Sequence, residues 1–154
     1  NRQAEIEAVK PVIERLKETG WTFGSHTWGH IRLDSRPLES VQRDTVRWAE
    51  EVGSLVGPTN ILFYPHGGRP DGDDWHSTGP VFQYLQSQGF RIFASVGINS
   101  FSYIKKDISA VICDRLHPDG TTLRNGKALE WYSQFYDARE IIDLDVRPDL
   151  GVTW

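Results

Sequence analysis

At 154 residues the chain is long enough for one domain with a real core and too short for two ordinary ones. Hydrophobic residues at 38% and charged residues at 25% exclude a disordered chain. A net charge of -4, with both signs mixed along the sequence, excludes the basic stripe of a nucleic-acid binder. There is no run long enough to cross a membrane and no signal peptide. Cys113 is the only cysteine, which rules out an internal disulfide and a cysteine-based zinc cage. The chain opens on Asn1 and contains no methionine, so it reads as a piece of a longer protein. Its six tryptophans and five tyrosines suit sugar rings, but most of them are expected to fill the core.

In chain order, Ala4 to Thr19 carries Ile6, Val9, Val12, Ile13 and Leu16 at helical spacing and stops at Gly20. Pro11 either kinks this helix or marks its first turn. Trp21 to Gly24 reads as a first strand that runs into His26 and His30. Leu38 to Val56 is the clearest helix, with Leu38, Val41, Thr45, Trp48, Val52 and Leu55 on one side. Pro37 fits its first turn, and Gly57-Pro58 ends it. Asn60 to Tyr64 is a second strand whose apolar run predicts burial on both faces. Pro65 to Gly79 is a long polar loop with four glycines and three aspartates. Val81 to Gln88 is a helix stopped by Gly89, and Phe90 to Val96 is the third strand. A loop over Gly97 to Asp107 leads to a fourth strand, Ala110 to Leu116. A turn follows at His117-Pro118-Asp119-Gly120, then a short helix over Lys127 to Phe135 and a strand-like tail over Ile141 to Val146.

Alternating helices and strands predict an α/β fold with a parallel sheet and right-handed crossovers, open or bent toward a barrel. In such folds the site gathers at the carboxyl ends of the strands. His26, His30, His66 and the turn from Arg115 to Asp119 all fall at such ends. Two imidazoles four residues apart at a strand end can converge on one metal ion, neutral imidazole being a common ligand. The competing reading is a helix-capping or surface pair. The second cluster, Phe63-Tyr64-Pro65-His66-Gly67-Gly68, also closes an apolar run and favours one shared site. His66 reads as lining that site through its backbone, its imidazole being a minor candidate for a third ligand. His76 reads as an exposed loop residue. Asp71, Asp73 and Asp74 read as a solvated acidic loop rather than a hard-cation site, since they lack EF-hand spacing. Trp75 could stack on a sugar or anchor its loop. Asp114 and Arg115 read as an ordinary strand-end pair or a buried ion pair, and Trp28 as packing beneath the histidine loop.

The string Ser25-His26-Thr27-Trp28-Gly29-His30 resembles the His-Ser/Thr-x-x-His motif of the NodB-homology polysaccharide deacetylases. Phe63-Tyr64-Pro65-His66-Gly67 resembles that family's later motif, in the Tyr-Pro-x-Gly form of its poly-N-acetylglucosamine branch. Residues from Gly89-Phe90-Arg91 through Arg115 to Asp119 and on to Val146-Arg147-Pro148 are similar to the C-terminal part of such domains. The resemblance implies a NodB-like fold, part of a distorted (β/α) barrel with parallel strands, and a metal-dependent hydrolase acting on N-acetylated polysaccharide. It implies a divalent metal, zinc before cobalt or nickel, held by His26 and His30, with Thr27 steadying their loop. It also implies His66 and His117 as catalytic groups, the first through its backbone N–H as oxyanion donor and the second as acid. Tyr64, Pro65, Gly67, Trp75 and Arg115 are the implied substrate-binding residues, and the implied location is extracellular or at the cell surface.

The chain departs from the family pattern in two places. The Thr-Phe-Asp-Asp-Gly motif, which carries the third ligand and the base, is absent; it is expected upstream of Asn1, in a segment that would complete the site. Phe63 stands where an arginine often opens the later motif. The expectation is therefore one domain over 1–154, the C-terminal portion of a deacetylase lacking its first strand. The other readings are a non-catalytic carbohydrate-binding or structural domain on that scaffold, and a different metal hydrolase that borrows Asp71 or Asp114.

Overall fold

Asn1 starts the first helix: its side chain accepts a hydrogen bond from Gln3 N at 3.2 Å, satisfying one of the free amides of the first turn. The computed structural model describes residues 1–72, 79–96, 103–105, 109–115, 130 and 133–134. Helix α1 runs over Arg2–Glu18 and ends where the Thr19 hydroxyl donates back to the carbonyls of Arg15 and Leu16, both at 3.0 Å. Pro11 is inside α1 rather than in its first turn, because the cap at Asn1 starts the helix well upstream. The expected apolar face is only partly used: Ile13 is buried, while Val9 and Val12 are exposed.

The predicted helix over 38–56 forms as one helical stretch with a widened middle. It comprises α2 (Leu38–Trp48), a π-helical turn over Ala49–Gly53 and α3 (Ser54–Val56), and Gly57 ends it at φ 92°. Helix α4 (Pro80–Ser87) is capped from a distance. Both Asp71 carboxylate oxygens accept from its first-turn amides, Val81 N at 3.1 Å and Phe82 N at 2.9 Å. Asp71 is therefore neither a solvated loop residue nor a free metal ligand; a carboxylate at a helix N-terminus is stabilised by the exposed amides and the dipole.

The strands are β1 (Ile61–Phe63), β2 (Ile92–Val96), β3 (Tyr103–Lys105) and β4 (Ala110–Arg115), in the order β1-β2-β4-β3. Strands β1, β2 and β4 are parallel, as expected. Strand β3, which falls in the predicted loop over 97–107, pairs antiparallel with β4. A parallel neighbour needs a long crossover, whereas the short connection from β3 to β4 permits antiparallel return. The predicted strand over 21–24 is reduced to one parallel bridge, Ser25 with Leu62, closed by Ser25 N to Ile61 O at 2.9 Å and Phe63 N to Ser25 O at 2.8 Å.

In register, Leu62, Phe93 and Ile112 form one row across the sheet, and all are buried. They pack with Val41 of α2 and with Phe82 and Leu85 of α4 in one apolar cluster. The opposite face of β1 is only half-buried at Ile61 and Phe63, so β1 is not the doubly buried strand its apolar run implied. Phe63 instead covers Gly24, where an added Cβ would come 2.5 Å from the Phe63 ring. Gly24→Ala is therefore expected to destabilise the chain by about 1–3 kcal/mol through overpacking, read as a lower urea midpoint at unchanged slope.

Elements α1–α4 and β1–β4 all belong to the first of two compact units, Asn1–Arg115 and Leu116–Trp154. In the second, the Ser133 hydroxyl donates to Glu130 O at 2.6 Å. The expected turn at 117–120 and strand over 141–146 lie outside the described residues, as does most of the expected helix over 127–135. Among the described residues no helix is long and apolar enough to cross a membrane.

Candidate metal centre

The bridge at Ser25 ends the pairing on this side of the sheet, and the next residue turns its ring back over β1. His26 Nδ1 lies 2.9 Å from the carbonyl oxygen of Phe63. A carbonyl can only accept, so Nδ1 carries the proton and Nε2 keeps its lone pair, the state a metal ligand requires. Burial holds the His26 pKa below the ordinary histidine value; the bond to Phe63 works the other way, and the Arg115 charge adds a smaller depression.

The loop from Thr27 to His30 is strained and firmly held. Thr27 and His30 have φ of 62° and 50°, a left-handed conformation that costs side-chain-bearing residues energy. Asp44 of α2 offsets that cost. Its Oδ1 accepts from Trp28 N at 2.9 Å and its Oδ2 from Gly29 N at 2.7 Å. The Thr27 hydroxyl accepts from Ile31 N at 3.1 Å and closes the loop on itself. Asp44 is a buried carboxylate on the apolar side of α2, in line with Val41 and Trp48. The sequence reading passed over it, although a charge on a buried helical stripe signals a group that must find donors.

Trp28 does not pack beneath the loop. It is 41% exposed, with the Arg47 guanidinium 3.5 Å above its ring and its Nε1 donating to Glu51 at 2.9 Å. Pointing outward lets the indole N–H reach Glu51, since both oxygens of the buried Asp44 carboxylate are already taken by the loop amides.

His66 arrives from the end of β1. Pro65–Gly67 forms a single 3-10 turn with His66 at φ 56°, and buried Ser95 of β2 anchors it by donating to Gly67 O at 3.3 Å. The His26 and His30 ring centroids are 4.9 Å apart and those of His30 and His66 are 4.5 Å apart, both edge-to-face. The fold thus joins the two strand-end motifs into one cluster of imidazoles. The His66 ring, a minor candidate for a third ligand on the sequence reading, is part of it. Two residues of the same turn face inward: Tyr64 is 1% exposed and Pro65 is fully buried, so neither side chain presents a surface to a ligand here. Tyr64 belongs to the apolar cluster, because the alternation that leaves Phe63 half-buried on one face turns its neighbour to the other.

Arg115, at the carboxyl end of β4, donates from Nη2 to Tyr64 O at 3.3 Å and lies 5.5 Å from the Phe63 ring centroid. No ion pair joins it to Asp114 among the described residues. Successive strand residues point to opposite faces, which is why the expected pair does not form. Trp75 and His117 lie outside the described residues.

The bond from Nδ1 to Phe63 O leaves His26 Nε2 facing away from β1 as an acceptor nitrogen within the imidazole cluster. Among the described residues no group of three His, Cys, Asp or Glu side chains is arranged to hold one ion. Neither Asp71, spent on α4, nor Asp114 supplies the missing donor.

No curated protein and no solved structure matches the chain. The sequence model of one family, described as polysaccharide deacetylase, matches residues 2–91, more than half of the chain and the whole stretch from α1 through the His66 turn. With both histidine motifs inside that match and their rings brought together by the fold, the chain belongs to the polysaccharide deacetylase family.

Proposed function

We propose that this domain removes N-acetyl groups from a polysaccharide by metal-dependent hydrolysis, with His26 and His30 holding the ion. The observation that carries the reading is the His26–His30 approach of 4.9 Å at the carboxyl end of the sheet, with His26 Nδ1 tied to Phe63 O so that Nε2 is free. Zinc is the first choice for two imidazoles, and when bound it would polarise the acetyl carbonyl and lower the pKa of a bound water. The chain's own residues orient the reaction. The Phe63 carbonyl fixes the His26 tautomer, and Asp44 fixes the loop that carries both rings. The turn at His66 offers its backbone N–H to the oxyanion.

Gly67 and Arg115 border the substrate in this reading, with Tyr64 and Pro65 shaping the turn from behind and Trp75 available for stacking. His117 is proposed as the acid. The third ligand and the base are assigned to an Asp-Asp segment outside these 154 residues. The sheet is read as an arc of the distorted barrel, the domain as a portion of the full one, and the place of action as the cell surface or beyond it. A non-catalytic carbohydrate-binding role is the second reading, favoured by the lack of a third donor among the described residues.

Elemental analysis separates the two. The chain, purified without a His-tag or chelator, is expected to carry zinc that a His26→Ala/His30→Ala variant loses. Absence of metal from the folded chain and also from the longer protein that supplies the outside segment overturns the metal centre. Brisk acetate release from N-acetylated oligosaccharide by this chain alone would overturn the assignment of the base to an outside segment.

A further inference from the structure

Among the described residues Arg115 has no anion beside it. Its Nε is buried and has no hydrogen-bond partner, and Nη2 makes only one long bond, 3.3 Å to Tyr64 O. No carboxylate pairs with it among the described residues, and the adjacent Asp114 points to the other face of β4. Burying a guanidinium this way is costly unless it is paired, and burial is what pulls its proton affinity down. Around it stand a ring face at Phe63, a carbonyl at Tyr64 and, close enough to feel its charge, His26. None of these described neighbours is acidic, and they adjoin the histidine cluster.

We propose that Arg115 is the anion-binding residue of this site and takes a carboxylate on its guanidinium, beside His26. The fork of a guanidinium matches a carboxylate better than any other small anion except phosphate, and it remains charged at all working pH values. The identity of the anion rests on the deacetylase reading: hydrolysis of an N-acetyl group yields acetate at the histidines, so product acetate is the first occupant. A carboxylate on a neighbouring sugar presents the same chemistry. The binding itself requires no metal, so it can fail or succeed independently of the metal centre.

The test is a titration of the metal-free chain with sodium acetate against sodium chloride at equal ionic strength, in EDTA, followed by ¹H–¹⁵N NMR. Saturable shifts of the Arg115 Nε–H and His26 ring signals are expected with acetate and absent with chloride. Arg115→Gln should weaken binding about tenfold or more, the loss of a charge-assisted bond. Arg115→Lys, which keeps the charge and loses the fork, should fall between the two. If Arg115→Gln does not fold, the parent and Arg115→Lys decide. Glucuronate binding as well as acetate would extend the proposal to sugar carboxylates, whereas acetate alone would restrict it to product. The proposal is overturned if acetate moves neither signal. Equal binding by a folded Arg115→Gln, or equal shifts with neutral N-acetylglucosamine, overturns it too.

Discussion

Asp44→Ala is expected to lower stability by about 2–4 kcal/mol, because it removes both acceptors from the amides of Trp28 and Gly29 at once. Each bond is to a carboxylate oxygen held in a buried position, where an unmet amide is costly. Partial access of water to the loop keeps the loss below the sum for two fully buried amides. A second consequence separates positioning from mere stability. The two amides sit between His26 and His30, and the loop has left-handed backbone at Thr27 and His30 that relaxes once the clamp is gone. Zinc affinity, on the metal-centre reading, should fall about 10–100-fold, the usual cost of losing a group that orients a ligand. Asp44→Asn retains one acceptor and should recover part of both losses. Equilibrium urea melts give the first quantity and competition with a chromophoric chelator the second. Unchanged zinc affinity in a destabilised Asp44→Ala would make Asp44 a structural residue only.

Phe93→Ala should cost about 3–5 kcal/mol, enough to unfold a marginal domain at ambient temperature. Phe93 has no exposed surface and sits in the middle row of the sheet between Leu62 and Ile112. Its ring packs against Phe82 at a centroid distance of 4.9 Å and against Tyr64 at 6.3 Å. Truncation leaves a cavity lined on one side by strands that their hydrogen bonds hold at fixed spacing, so the site cannot collapse to fill it. Phe93→Leu, which keeps most of the volume, should cost less than half as much. Loss of the near-ultraviolet signal together with a shifted urea midpoint would register both. A cost under about 1 kcal/mol for Phe93→Ala would contradict the core described above.

Much of the architecture was open to sequence reasoning because its signals are local. Apolar spacing at 3.6 residues and glycine stops located α1, α2 and α4; short apolar runs located β1, β2 and β4. The order of those elements was enough for a parallel sheet with the histidines at its carboxyl ends. Position along the chain marked His26, His30 and His66 as candidates for one site, and the resemblance of their motifs carried the family. These readings depend on a residue and its near neighbours, which is the range over which sequence periodicity acts.

What the sequence could not decide were contacts made across elements. Whether Trp21–Gly24 would pair fully or touch the sheet only at Ser25 depends on how closely Gly24 and Phe63 approach. Whether Asp71 faces solvent or caps a helix ten residues on depends on the path of the loop between them. Trp28 pointed outward because its indole N–H found Glu51, a partner 23 residues away. Asp44 and Ser95 became structural supports, and Arg115 a cation with no ion-pair partner among the described residues, only once separate strands and helices had been packed together. Local periodicity determined which elements form and which residues end them. Tertiary packing alone decided which polar groups are satisfied, because a buried donor or acceptor takes whatever partner the assembled fold delivers.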